Sequence, residues 1–159
     1  MTKYHGKGIV LWVEDGPSGG SNGTYNISAS VNSVDVPRTA DEVDVTTFGA
    51  GDFRSYLAGF QNATMRIAGF FDDTGAAAPG TANTAGTASG ADAVLAAWIA
   101  FGTQTRKVIF YPSGTATGKI RYEGTCIPLG YSLNGAVANA VSFTSDLRVT
   151  GALTRYTNA

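Results

Sequence analysis

The side chains that chemistry would need are few: one histidine, His5, one cysteine, Cys126, the acidic groups Asp41-Glu42-Val43-Asp44 and Asp72-Asp73, and a glycine-rich Gly16-Pro17-Ser18-Gly19-Gly20. That last segment fits the G-x-S-x-G spacing of a nucleophile elbow, which needs a strand-to-helix turn with an acid and a histidine further along the chain. Ser21 to Tyr25 is no helix former and the histidine lies upstream, so the segment reads as a turn. No glycine loop runs into the Lys-Ser/Thr pair that cradles phosphate. Asp41, Glu42, Asp44, Asp72 and Asp73 lack the ligand spacing of a calcium loop and read as solvated turns. A paired-carboxylate hydrolase would need two acids held across a cleft, for example Asp44 and Glu123, and nothing in the sequence brings that pair together. Cys126 falls on the apolar phase of a strand and reads as a buried structural thiol. With one cysteine there is neither a disulfide nor a thiolate set for zinc. Arg106, Lys107, Lys119 and Arg121, with Tyr111 and Tyr122, would form a basic aromatic patch only if a hairpin gathered them. The chain is therefore expected to be no enzyme, with no cofactor and no metal.

The elements that must position these residues follow from composition and periodicity. The 159 residues, 43% hydrophobic and 14% charged with net charge -1, suit one domain over 1–159 and exclude recruitment of partners by bulk charge. The 21 glycines are roughly twice the usual share and call for many turns and close contacts. Ala91 to Gly102 is too short to span a bilayer, and Met1 to Lys7 lacks the apolar core of a signal peptide, so the N-x-S/T matches at Asn22, Asn26 and Asn62 read as turn and strand residues.

Alternation predicts strands over Ile9–Val13, Ile27–Asn32 with a phase shift into Val34 and Val36, Val43–Phe48, Thr64–Phe71, Val108–Tyr111 and Lys119–Ile127, with a short one over Gly130–Asn134. Arg38 to Glu42 reads as a polar hairpin tip or loop, and residues 14–25 and 74–90 as flexible loops. Phe53, Tyr56, Leu57 and Phe60 recur at helical spacing and predict a short helix. A longer helix is expected to start at Gly90 under a Ser89 cap, with Asp92 completing a weak capping box. Val94, Leu95, Trp98 and Ile99 then anchor the core together with Cys126. From Val137 to Thr150, Val137, Asn139, Val141, Phe143, Ser145, Leu147 and Val149 share one phase of a long period-two pattern; one strand over this range would reach about 45 Å if unbroken and overrun a small core. Its edges would need a bulge, a bend or a second copy to cover them.

Val31-Asn32-Ser33-Val34-Asp35-Val36-Pro37-Arg38-Thr39-Ala40-Asp41-Glu42-Val43-Asp44-Val45-Thr46-Thr47-Phe48-Gly49 resembles the matching region of major tail tube proteins of long, non-contractile-tailed (siphovirus-type) bacteriophages. The likeness continues through Tyr56 to Asp72 and takes in His5-Gly6-Lys7 and Ala140 to Gly151. It spans most of the chain and is weakest at 14–25 and 74–90.

The resemblance implies a mainly β fold, a β-sandwich or partly rolled β-barrel with one flanking α-helix and long loops. It implies six copies in a ring and rings stacked into a hollow tube that encloses a tape-measure protein and conducts viral DNA during genome ejection. The ends of the tube would meet tail tip and tail completion proteins. The protein would belong to the virion tail and be assembled in the host cytoplasm. Strand residues that would join subunits or line the lumen are Val31, Val34, Val36, Val43, Val45, Phe48, Val137, Val141, Phe143, Leu147 and Val149. Candidate lumen charges are Asp35, Arg38, Asp44, Asp146 and Arg148. The alternative from another class is an isolated β-sandwich binding or adhesion module that uses the 14–25 loop for recognition.

Overall fold

The computed structural model describes residues 6–14, 16, 23–49, 51, 53–74, 87–100 and 104–159. After a 3₁₀ turn, Gly6–Gly8, come β1 (Val10–Glu14), β2 (Thr24–Asn26), β3 (Val31–Asp35), β4 (Arg38–Asp44), β5 (Tyr56–Phe70), β6 (Thr87–Ala88), α1 (Ala91–Ala100), β7 (Arg106–Tyr111), β8 (Ile120–Ala136) and β9 (Asn139–Thr157). The strands run in the order β3-β5-β9-β8-β7-β1-β2-β6, and β4 also pairs with β5. Leu11, Val13, Tyr25 and Ile27 near one end of this order share a core with Met65, Ile67, Phe143 and Leu147 near the other. The sheet must therefore roll over on itself, which gives the expected mainly β sandwich or partial barrel with one flanking helix.

The roll is carried by two long strands that serve both layers. β8 pairs with β7 only over Tyr122 to Cys126, and then continues to Ala136 against β9 alone. β9 pairs with β5 from Ser142 to Arg148, then bulges at Gly151 and runs on beside Ile120 to Gly124. Gly151 sits at φ +82, a left-handed conformation that suits glycine and bends the strand between layers. One layer is thus β3 and β4, β5, the first half of β9 and the second half of β8.

β3 and β4 lie end to end along β5 and are separated at Val36-Pro37. Proline has no N–H for the ladder, yet the Pro37 carbonyl still accepts from Thr64 N at 3.2 Å, so the chain resumes beside the same neighbour.

Helix α1 begins at Ala91, and its cap comes from elsewhere. Ala91 N donates to Ser30 Oγ at 3.2 Å and Asp92 N to the Asp72 carbonyl at 3.2 Å. Ser89 Oγ instead turns to the Gly90 carbonyl, so the expected Ser89 capping box is replaced by groups distant in sequence. Val94, Leu95 and Trp98 are buried, Cys126 is buried beneath them in the same core, and Ile99 is half-buried. Tyr131 Oη donates to Asp92 Oδ1 at 2.7 Å and ties the helix to β8. Trp98 Nε1 donates to the Gln104 carbonyl at 2.7 Å, and the Arg106 guanidinium lies 5.6 Å from its ring.

Four expectations need correction. Residues 53–55 are not helical and Tyr56 opens β5, because Phe53, Tyr56, Leu57 and Phe60 are exposed and have no core for a helical face to meet. Arg38–Asp44 is a strand and not a hairpin tip, since its partner β5 runs on to Tyr56. Ile27 to Ser30 turns rather than extends: Ser30 N bonds the Ile27 carbonyl and Val31 N the Ser28 carbonyl, so β3 starts at Val31. The long alternation divides at a turn over 137–138, after which β9 runs past Thr150 to Thr157, and Gly130–Asn134 is part of β8. Most of the two loops, 15, 17–22 and 75–86, lies outside the described residues.

Candidate assembly surfaces

Beyond the Thr64–Arg148 pair β5 parts from β9, and β4 with the first half of β5 projects as a two-stranded arm. Every β4 residue is exposed. Val43 and Leu57 are register partners and so share a face of the arm. With Val45, Phe48, Phe53, Tyr56 and Phe60 they form a run of exposed large apolar side chains on the arm and its tip.

Local bonds order the end of this arm. Thr46 donates through its N–H at 2.9 Å and through its hydroxyl to Asp44 Oδ1, and its Oγ1 accepts from Ser55 N at 2.9 Å. Val45 N reaches the Ser55 carbonyl at 2.9 Å, and Arg54 Nη1 lies 3.8 Å from Asp44 Oδ2. The Thr46 bonds hold the Asp44 carboxyl below its usual range. Asp44 therefore acts here as a turn anchor. At the base of the arm the Arg38 guanidinium stacks 5.0 Å from the Tyr122 ring centroid, and Arg148 Nη1 donates to Asn62 Oδ1 at 3.3 Å.

A second apolar group sits at the other end of the same layer. Phe70 ends β5 and Phe71 follows it, while Leu133, Val137 and Val141 lie at and beside the β8–β9 turn, and all five are exposed. Phe70 faces Ser142 in register, which places the two sets side by side. The thirteen steps of β5 from Leu57 to Phe70 span about 43 Å at the usual strand rise. The molecule thus carries two different apolar surfaces, one at each end of the layer.

The layer also has open edges. Among the described residues no strand pairs with the outer side of β8 over 127–136, nor with the outer sides of β3 and β4. Between these edges its two faces differ. Phe143, Leu147 and Val149 are buried in the core with Met65 and Ile67. The opposite face presents Thr144, Asp146 and Arg148 from β9 and Arg66 from β5. Asp35 is the register partner of Arg66 and joins that face, which therefore gathers three of the candidate charges, Asp35, Asp146 and Arg148, and leaves Arg38 and Asp44 on the arm. Arg66 escapes sequence reading because its neighbours on this face come from strands distant in sequence.

Val31, Val34 and Val36 are half-buried against the core. Val43, Val45 and Phe48 are on the arm, and Val137 and Val141 are at the β8–β9 turn.

The basic aromatic patch that a hairpin would have had to gather is not assembled. Arg106 is buried against Trp98, Arg121 bonds Glu123 and Asn158, Tyr111 is buried, and Tyr122 lies under Arg38. Cys126 is fully buried and burial pushes its thiol up to about 12, far from a nucleophile's range. Among the described residues no group of three or more His, Cys, Asp or Glu could hold a metal ion. No described helix is long and apolar enough to cross a membrane. His5 and residues 17–20 lie outside the described residues.

No protein-family model and no curated protein sequence matches the chain. Solved structures do match. A chain from the tail of an empty GTA particle with C6 symmetry aligns with a TM-score of 0.68 at 20% identity, over 99% of this chain and 100% of its own. A chain of the virion of a native gene transfer agent aligns at 0.67 and 18% identity, over 97% and 99%. The SPP1 tail tube aligns at 0.65 and 11% identity, over 98% of this chain and 80% of that one. At these identities the likeness is one of fold.

Proposed function

We propose that the chain is a structural subunit of a phage-type tail tube and that it works by assembling with copies of itself, without chemical turnover. The observation that carries this reading is the four-strand layer open along both sides, at β8 on one and β3–β4 on the other. An unguarded edge is a template for another strand, and two unlike edges on opposite sides make a heterologous contact that closes into a ring when the rotation fits. The apolar arm and the apolar β8–β9 end lie at opposite poles of that layer, which suits stacking of one ring on the next. The fold shared with tail and virion chains of sixfold and tubular assemblies supports the same reading.

In this account 1–159 is one tail tube domain, and six copies close a ring. Val31, Val34, Val36, Val43 and Val45 sit along one joining edge. Phe48 on the arm, with Val137 and Val141 at the far end, serves contact between rings. Phe143, Leu147 and Val149 hold the wall together from its core side, while Val94, Leu95, Trp98, Ile99 and Cys126 anchor the helix behind it. The polar face carrying Asp35, Asp146 and Arg148 lines the hole, with Arg38 and Asp44 on the projecting arm. The tube encloses a tape-measure protein, passes DNA, and meets tip and completion proteins at its ends as part of the virion tail, after assembly in the host cytoplasm.

Cysteine cross-linking tests the edge contact. Cys126 is buried, so cysteines introduced at Ser33 on β3 and at Ser132 or Asn134 on β8 are the reactive ones. Mixing the β3 variant with a β8 variant under oxidation should give cross-linked dimers, and each variant alone should not. Equal yields in mixed and unmixed samples would place the contact elsewhere.

A further inference from the structure

We propose that Asn134 is a self-modifying site: the Gly135 nitrogen attacks its side-chain amide, and the chain deamidates and isomerises at the open edge of β8. The chemistry needs no tube; only its effect on assembly rests on the tube reading. Asn-Gly occurs at 22–23 and at 134–135, and the first pair lies partly outside the described residues. Asn134 and Gly135 are both exposed on β8, whose outer side no described strand pairs over 127–136. The β8–β9 ladder shifts register between Asn134 and Ala136, so Gly135 has no register partner. Nothing in the fold requires a glycine here. Its φ is not left-handed, and an added Cβ would only touch the Val141 methyls at 3.6 and 4.0 Å. A glycine inside a strand costs stability. What it supplies at 135 is an unshielded nitrogen beside an exposed side-chain amide.

The reaction joins the Gly135 nitrogen to Asn134 Cγ. The Gly135 N–H proton passes through water to the departing Nδ2, the Cγ–Nδ2 bond breaks, and ammonia leaves a cyclic imide. Water then opens one of the two carbonyl–nitrogen bonds. Opening at Cγ leaves aspartate; opening at the main-chain carbonyl leaves isoaspartate, with the chain running through Cβ and Cγ. Ser142 Oγ donates to the Asn134 carbonyl at 3.4 Å, which draws electrons from the peptide unit whose nitrogen attacks. Extended backbone holds that nitrogen away from Cγ, so the reaction proceeds from a locally opened strand. Opening costs little beside the turn over 137–138, on an edge bonded from one side only. The isoaspartyl product adds a backbone atom and a carboxylate to the β8 edge, and so spoils it as a template for a second copy.

The test is incubation of the full chain at pH 8 followed by tryptic mass spectrometry, with fragmentation that separates aspartate from isoaspartate. Asn134 and Asn139 fall in one peptide, Tyr122 to Arg148, so the second serves as an internal reference. Asn134 should convert at least about tenfold faster than Asn139, which precedes alanine, and should yield both products. Gly135→Ala should bring Asn134 down to the Asn139 rate with an unmoved melt, and Gly135→Thr replaces it if that variant fails to fold. The proposal is overturned if Asn134 converts no faster than Asn139, if the glycine variant keeps the wild-type rate, or if aspartate forms without isoaspartate. Tube formation by the converted chain is scored separately by microscopy. Undiminished tubes count against the β8 edge contact, while the peptide ratios alone decide the chemistry at Asn134.

Discussion

Replacing the arm's exposed phenylalanines separates a surface that serves association from one that serves folding. Phe60 is 87% exposed, Phe53 is 85% exposed and Phe48 is fully exposed, so none contributes appreciably to the core. Phe48→Ser or Phe60→Ser should therefore change monomer stability by no more than about 0.5 kcal/mol, the usual range for surface sites. If each ring is buried against a second copy, each substitution forfeits about 1.5–3 kcal/mol of apolar burial at every contact. At 1.4 kcal/mol per factor of ten this weakens each contact by roughly 10- to 150-fold. The double variant should weaken it by roughly 10²- to 10⁴-fold if the two sites act independently. Light scattering against protein concentration reads the onset of assembly, and thermal melting of the dilute monomer reads its stability. The expected pattern is a large upward shift of the onset with an unmoved melt. Assembly at the wild-type concentration would refute the role given to the arm, and a collapsed melt would refute the claim that these rings stand outside the core.

Three further outcomes follow from the packing. A Cβ on Gly69 would stand 1.9 Å from the Ser30 carbonyl oxygen and 2.9 Å from the Phe143 ring, so Gly69→Ala should destabilise by at least about 1–3 kcal/mol in chemical denaturation. Cys126 should resist thiol reagents at pH 8 until the protein is unfolded. Because its folded pKa is raised, its contribution to stability is full below the ordinary thiol value of 9.0 and is lost as pH climbs towards about 12, and Cys126→Ala should flatten that alkaline decline. Asp72 is shifted the other way, first by its Thr74 hydroxyl bond, then by the Thr74 N–H and, more weakly, by Ser30. Its contribution is present above the ordinary carboxylate value of 3.8 and lost as pH falls through the lower folded value, so Asp72→Asn should flatten the acid side of the stability profile.

What the sequence made legible was local. Val108-Ile109-Phe110-Tyr111 forms its strand with only the boundary extended to Arg106, and Val94, Leu95 and Trp98 cluster as their helical spacing requires. Period two in Phe143, Ser145, Leu147 and Val149 correctly marks the buried side of β9. The arm was misread because Phe53, Tyr56, Leu57 and Phe60 invoke a helix on the assumption that large apolar residues face their own core. Here they face outward, so their spacing carries no information about a helical stripe. The α1 cap was misread for a related reason: Ser30 and Asp72 reach it through the fold, 61 and 20 positions before the N–H groups they meet. The register row of Asp35, Arg66 and Asp146 was not legible for the same reason, since it exists only where β3 and β9 flank β5.

The central claim is closed self-assembly, and electron microscopy of the purified chain over rising concentration, with symmetry taken from end-on views, tests it most directly. The account predicts rings or tubes with a central hole and six copies around it. Monomers that persist at every concentration, or aggregates without a hole, would contradict it.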